Sequence, residues 1–105
     1  MDNAHHLRGP NPWHPMSNPV DLKHLGKFIE ECAEAASAAA RCVIQGIDET
    51  EPTTNKNNRE WLWEEIADVL ANAQLIIEHF KLDVTAINKR AARKREYLRR
   101  WHAGA

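Results

Sequence analysis

Apolar residues return every three or four positions through Leu22, Leu25, Ile29, Cys32, Ala36, Ala39 and Val43, and again through Leu62, Ile66, Val69, Ala73, Ile76 and Phe80. Such a recurrence lays one stripe along a helix, whereas a half-buried strand needs alternation with a period of two, and no stretch of this chain has it. A third stripe, Val84, Ile87, Ala91, Leu98 and Trp101, carries a gap where Lys94 stands. The fold class expected is all-α, an antiparallel helical bundle without strands.

Local chemistry sets the boundaries. Asn18 before Pro19 offers a capping side chain and then a proline at the first helical position, with Asp21 in the first turn. The first helix should run to about Gln45, where Gly46 stops it. Residues 46–58, with Gly, Pro, Thr and Asn and no periodicity, read as a connecting loop. Asn57 or Asn58 then caps the second helix and Asp83 the third. Residues 1–18 hold Pro10, Pro12 and Pro15 and read as an extended arm with Trp13 as a docking ring, leaving residues 19–105 as a single domain. A chain of 105 residues buries a modest core, and the first two helices have wide apolar sectors that include Leu70 and Ile77. A homodimer or homotetramer that completes a larger bundle is expected.

The net charge of -1 argues against a strongly basic nucleic-acid binder, although Lys89, Arg90, Arg93, Lys94, Arg95, Arg99 and Arg100 crowd the third helix against only Glu96. Cys32 and Cys42 sit ten residues apart on one helix and cannot pair. With no apolar run to span a bilayer and no signal-peptide core, the sequence predicts a soluble cytoplasmic protein without a membrane partner.

Function is written in the acids. Glu30-Glu31-x-x-Glu34 and Glu64-Glu65-x-x-Asp68 each place carboxylates on adjacent turns of one helical face, so two neighbouring helices would gather four at one point. One such cluster reads best as ordinary solvated charge; two matched clusters call for a cation, and oxygen-only ligands suit Mg2+, with Mn2+ as a substitute. On the second helix Trp61, Glu65, Asp68, Asn72 and His79 form a ridge beside the apolar sector, and Lys27, Glu31, Glu34 and Ala38 form its counterpart on the first. Lys94 interrupts an apolar stripe and is expected to meet an anionic ligand in the same cavity, with Arg93 adding charge. A cation site facing basic side chains is the layout for polyphosphate hydrolysis by water.

The blocks LGKFIEECAEAASA and WLWEEIADVLANAQ, followed by a basic helix, resemble the all-α nucleoside triphosphate pyrophosphohydrolases of the MazG-like superfamily over about residues 22–101. The resemblance implies hydrolysis of a nucleoside triphosphate to monophosphate and pyrophosphate, with catalysis and Mg2+ binding by Glu31, Glu34, Glu65 and Asp68. It implies supporting roles for Glu30 and Glu64 and a phosphate-contacting role for Lys94, while Lys27, on the ridge with Glu31 and Glu34, is a further supporting candidate by position. Two features depart from that pattern: thirty residues separate Glu34 from Glu65, and Ala92 stands where many relatives have an asparagine, so that Asn88 one turn earlier is the candidate substitute. For the base, Trp61, Asn72, Trp13 and His24 are candidates by type. Two rival readings are a phosphoribosyl-ATP pyrophosphatase-like enzyme, which the long polar loop fits less well, and a non-catalytic helical module that binds partners or nucleic acid through the basic run.

Overall fold

The computed structural model describes residues 12–104. Residues 1–11, most of the expected arm, lie outside the described residues, and residues 12–18 have no regular structure. Three helices follow, α1 (Pro19–Gln45), α2 (Asn58–Phe80) and α3 (Val84–Gly104), with two short strands, β1 (Thr50–Glu51) and β2 (Lys56–Asn57), between the first two.

The caps fall where capping chemistry places them. Asn18 Oδ1 accepts from the N–H groups of Val20 and Asp21 at 2.9 and 3.1 Å, Asn57 Oδ1 from Arg59 and Glu60 at 2.9 and 3.3 Å, and Asp83 Oδ1 from Ala86 at 3.0 Å. Each satisfies amides that a helix start leaves without partners. Gly46 ends α1 at φ 110°, where a side chain would be strained and a Cβ would come 3.1 Å from Glu49 Cγ.

The expectation of a strandless connection is corrected. β1 and β2 pair antiparallel in the register Thr50 with Asn57 and Glu51 with Lys56, and the chain reverses through Asn55 at φ 60°. The Glu51 carboxylate accepts from the N–H groups of Thr53 and Thr54 at 2.6 and 3.2 Å and so holds the turn. Strands of two residues are too short for a period of two to be legible. Behind this turn Asn58 is fully buried, its Nδ2 donating to Gln45 Oε1 at 3.1 Å and to the Gly46 carbonyl at 3.0 Å. Asn58→Leu should therefore cost about 1–3 kcal/mol, since it removes the buried donor that ties Gln45 and the Gly46 carbonyl to the start of α2; the midpoint of urea unfolding measures it.

α1 and α2 pack as an antiparallel pair. Cys42 Sγ meets the Asn58 carbonyl at one end, and Asp21 and His24 meet His79 at the other. Between these ends Asp21, His24, Phe28, Glu31, Ala35, Ala38 and Cys42 are buried or half-buried, as are Asn58, Leu62, Glu65, Val69, Asn72, Ile76 and His79. Each set advances by three and four residues in turn, the spacing of a coiled-coil seam.

This seam lies one residue away from the apolar stripe expected on α1, and that stripe needs correction. Leu22, Ile29 and Val43 are exposed, the last at 86 %, and so are Trp63, Ile66 and Leu70 on α2. The expected core face of α3 is likewise exposed at Val84, Leu98 and Trp101, and no residue of α3 is buried. Among the described residues Ala38 is the one buried apolar side chain. The radius of gyration is 19.1 Å, against about 13 Å for a compact chain of this length. Among the described residues no helix is long and apolar enough to cross a membrane.

Candidate metal centre

Midway along the seam, where packing alone would favour apolar side chains, both helices present carboxylates. Glu31 is 6 % exposed and Glu65 half-buried. Ligand oxygens of Glu31, Glu65 and Asp68 lie within 4.8 Å of one another, and those of Glu30, Glu31 and Glu34 do the same. Glu31 belongs to both groups and joins them. Glu34 lies close enough to Glu65 to hydrogen-bond its protonated form. Three of the four acids singled out from sequence, Glu31, Glu65 and Asp68, thus come together between the two helices, and Glu34 is grouped with Glu30 and Glu31 on α1.

The arrangement is electrostatically incomplete. Glu31 Oε2 and Glu65 Oε2 are buried without a hydrogen-bond partner. A buried carboxylate oxygen left without a donor or cation is costly. Lys27 offers partial compensation from the rim, its Nζ lying 2.8 Å from Glu30 Oε1 and 3.2 Å from Glu31 Oε1. These carboxylates raise the pKa of Lys27 above its ordinary value, Glu30 most strongly.

Burial first, and then the charges of Glu34, Asp68 and Glu31, push the Glu65 carboxyl above its ordinary value of 4.5. The folded state therefore holds this proton more tightly than the unfolded state. The stabilisation is complete below the ordinary value and is lost as pH rises through the raised one. In chelator, the melting temperature should fall with rising pH across that window, and the slope should be shallower in Glu65→Gln; thermal melts over a pH series measure both.

Glu30 joins the cluster through Lys27, whereas Glu64 is drawn toward the turn by Lys56 at 2.6 Å. Trp61 carries the Arg41 guanidinium 4.0 Å from its ring centroid and Lys56 at 5.3 Å, so a base stacking there would compete with an existing cation. His24 stacks on His79 with centroids 4.0 Å apart, and His79 Nε2 lies 2.7 Å from Asp21 Oδ1. Asn72 donates to the Asp68 carbonyl at 2.8 Å. Trp13 is exposed at 76 %, before α1.

The phosphate-binding candidates are placed apart from the acids. Asn88, Arg93 and Lys94 are exposed on α3. Lys94 Nζ sits 5.7 Å from the Tyr97 ring centroid, and a hollow of about 230 Å³ is lined by Arg90, Arg93, Lys94 and Tyr97. Among the described residues Lys94 forms no ion pair with a carboxylate.

A second cationic feature went unnoticed in the sequence. Val20, Lys23, His24, Lys27, Asn72 and Leu75 line a groove of about 580 Å³ along the joint between α1 and α2. Lys23 and Leu75 belong to no motif, and only the register of the helix pair brings them together. No family model matches the chain, and comparison with curated proteins and with solved structures finds no match.

Proposed function

We propose that the protein is a Mg2+-dependent nucleoside triphosphate pyrophosphohydrolase of the MazG-like kind, acting in the cytoplasm to control or clean the nucleotide pool. One observation carries the reading: two carboxylates, one buried and one half-buried, occupy seam positions, each with a buried oxygen that no donor satisfies, and further acids stand beside them. A structural ion pair would place a cation between them, and a solvated cluster would turn its oxygens outward. Hard oxygen donors from facing helices suit Mg2+ or Mn2+. Glu31, Glu34, Glu65 and Asp68 would hold the cation, with Glu30 and Lys27 adjusting the charge at the rim.

Bound there, the cation would screen phosphate oxygens and favour water as the nucleophile. The water oxygen attacks the α-phosphorus, the bond from that phosphorus to the bridging oxygen breaks, and pyrophosphate leaves. A carboxylate of the quartet takes the proton from the water. The exposed apolar faces of α1, α2 and α3 favour a homodimer or homotetramer in which α3 of one copy lies near the acids of another. Such an assembly would bring Lys94, Arg93 and Asn88 to the phosphates. Trp61, Trp13, His24 and Asn72 remain the candidates for the base.

A panel of nucleoside triphosphates with Mg2+, followed for pyrophosphate and orthophosphate separately, tests the reaction, with phosphoribosyl-ATP included to separate the related activity. Release of pyrophosphate is expected. The variant Glu34→Gln with Asp68→Asn should lose Mg2+ binding and turnover while keeping its helicity, and full turnover in that variant would refute the active-site assignment. The exposed basic face of α3 favours one other reading, nucleic-acid binding. It requires tight, steeply salt-dependent binding of oligonucleotides that is indifferent to the acids.

A further inference from the structure

Lys27 stands at a boundary. Its ammonium bridges Glu30 and Glu31 at 2.8 and 3.2 Å, yet its side chain is 55 % exposed and also lines the groove that runs away from the acids toward Val20. The groove contains a second ammonium, Lys23, and the His24 ring, and among the described residues no carboxylate lines it. Asp21, two residues before Lys23 on α1, is engaged by His79 at 2.7 Å. A groove lined by ammonium groups thus opens directly from a cluster of carboxylates that Lys27 neutralises only in part.

We infer that this groove seats the polyphosphate of the substrate, and that Lys27 transfers its ammonium from Glu30 and Glu31 to a phosphate oxygen when a divalent cation enters the quartet. This rests on the metal-centre reading above. Lys27 and the metal ion compete for the same Glu31 carboxylate, so the ion's arrival frees a long, flexible side chain whose stem already borders the groove. A lysine ammonium is a mobile point charge on four methylenes and can make that exchange by rotation of its own bonds. Lys23, one turn earlier on the same helix face, is placed to meet the next phosphate group, while the exposed apolar surfaces of Val20 and Leu75 flank the far end. The phosphate chain is then met by cations of the chain that holds the metal, whatever α3 of another copy adds. Before binding, Lys27 acts as an internal countercharge; after it, as a substrate contact.

The consequence is an effect of opposite sign on two ligands. Lys27→Met keeps the aliphatic stem and removes the charge. It should bind Mn2+ alone more tightly, by about threefold to tenfold, because a competing cation is gone. It should bind the preformed complex of Mn2+ with inorganic tripolyphosphate more weakly, by about threefold or more. Lys23→Met, which touches none of the acids, should leave Mn2+ binding unchanged and weaken the tripolyphosphate complex about fivefold. Electron paramagnetic resonance titration reads free Mn2+, calorimetry reads the complex, and far-UV circular dichroism confirms helicity. A Lys27→Met protein that binds the complex as tightly as wild type would overturn the inference, as would unchanged affinity in Lys23→Met. Loss of both affinities in Lys27→Met would assign that residue a purely structural part and overturn it too. Failure of the unaltered protein to bind Mn2+ would instead remove the metal centre on which the inference stands.

Discussion

Glu65→Gln should melt about 3–6 °C higher than the unaltered protein at neutral pH without metal, and should lose turnover by a factor of about a thousand or more. The two effects share one cause. Glu65 is pressed by burial and by Glu34, Asp68 and Glu31, so ionising it at neutral pH works against folding. The amide keeps the shape, removes the like-charge repulsion, and offers Glu34 a donor. It also takes a charge from the set that would hold the cation, and an amide cannot accept the proton of an attacking water. Adding Mg2+ should raise the melting temperature of the unaltered protein and leave that of the variant unmoved. Thermal melts with and without chelator, beside pyrophosphate release, provide both readings. A variant that melts lower would mean that Glu65 stabilises the fold as a carboxylate. One that turns over normally would remove it from the site.

In the homo-oligomer proposed above, Leu70→Asp is expected to leave single, largely unfolded chains. Leu70 is 59 % exposed and lies with Trp63 and Ile66 on the outward face of α2, while Ile29 and Val43 lie outward on α1. Ala38 is the one buried apolar side chain among the described residues, and a residue of leucine size contributes about 1.5–3 kcal/mol when fully buried. A carboxylate in the same place would resist burial in every copy. Light scattering coupled to size exclusion should show the mass fall to that of one chain, with more than about half the helical ellipticity lost. Unchanged mass and helicity in Leu70→Asp would show that this face is not an interface.

The elements were legible because their signals are local. Asn18 with Pro19, Gly46, Asn57 and Asp83 each announce a boundary through the geometry of one or two residues, and the helices begin and end at them. The spacing of Glu31 with Glu34 and of Glu65 with Asp68 along their own helices was legible too, since steps of three on a helix are rigid, whereas the grouping of Glu31 with Glu65 and Asp68 depends on how the helices meet. Which stripe of α1 faces α2 was not. The residues at 22, 29, 36 and 43 make the more apolar line, but the intrachain seam runs through 21, 24, 28, 31, 35, 38 and 42 and contains Asp21, His24 and Glu31. A search for apolar recurrence passes over a seam with polar members, and only the contacts of His79 and Asn58 fix it. Lys23, and its place beside Lys27 in one groove, were hidden for the same reason: a groove between helices belongs to their register, which neither helix encodes alone. The turn escaped because Arg59 binds Asp48 and Lys56 binds Glu64 across spans that no periodicity reports.

Two adjacent lines of residues on α1, one turned toward α2 and the other toward open surface, leave the chain almost no tolerance for a change in its length. A residue inserted just after His24 would rotate everything beyond it by about 100° and bring Lys27, Ser37 and Arg41 onto the joint in place of Phe28, Ala38 and Cys42, with Glu30 in place of Glu31. The same holds between Leu62 and His79. The tip at Thr53, Thr54 and Asn55, held by Glu51 and touching neither helix seam, can lengthen without disturbing either line. Descendants of this gene should therefore differ in size at that tip and keep the spacing from Asp21 to Cys42 and from Asn58 to His79 fixed to the residue.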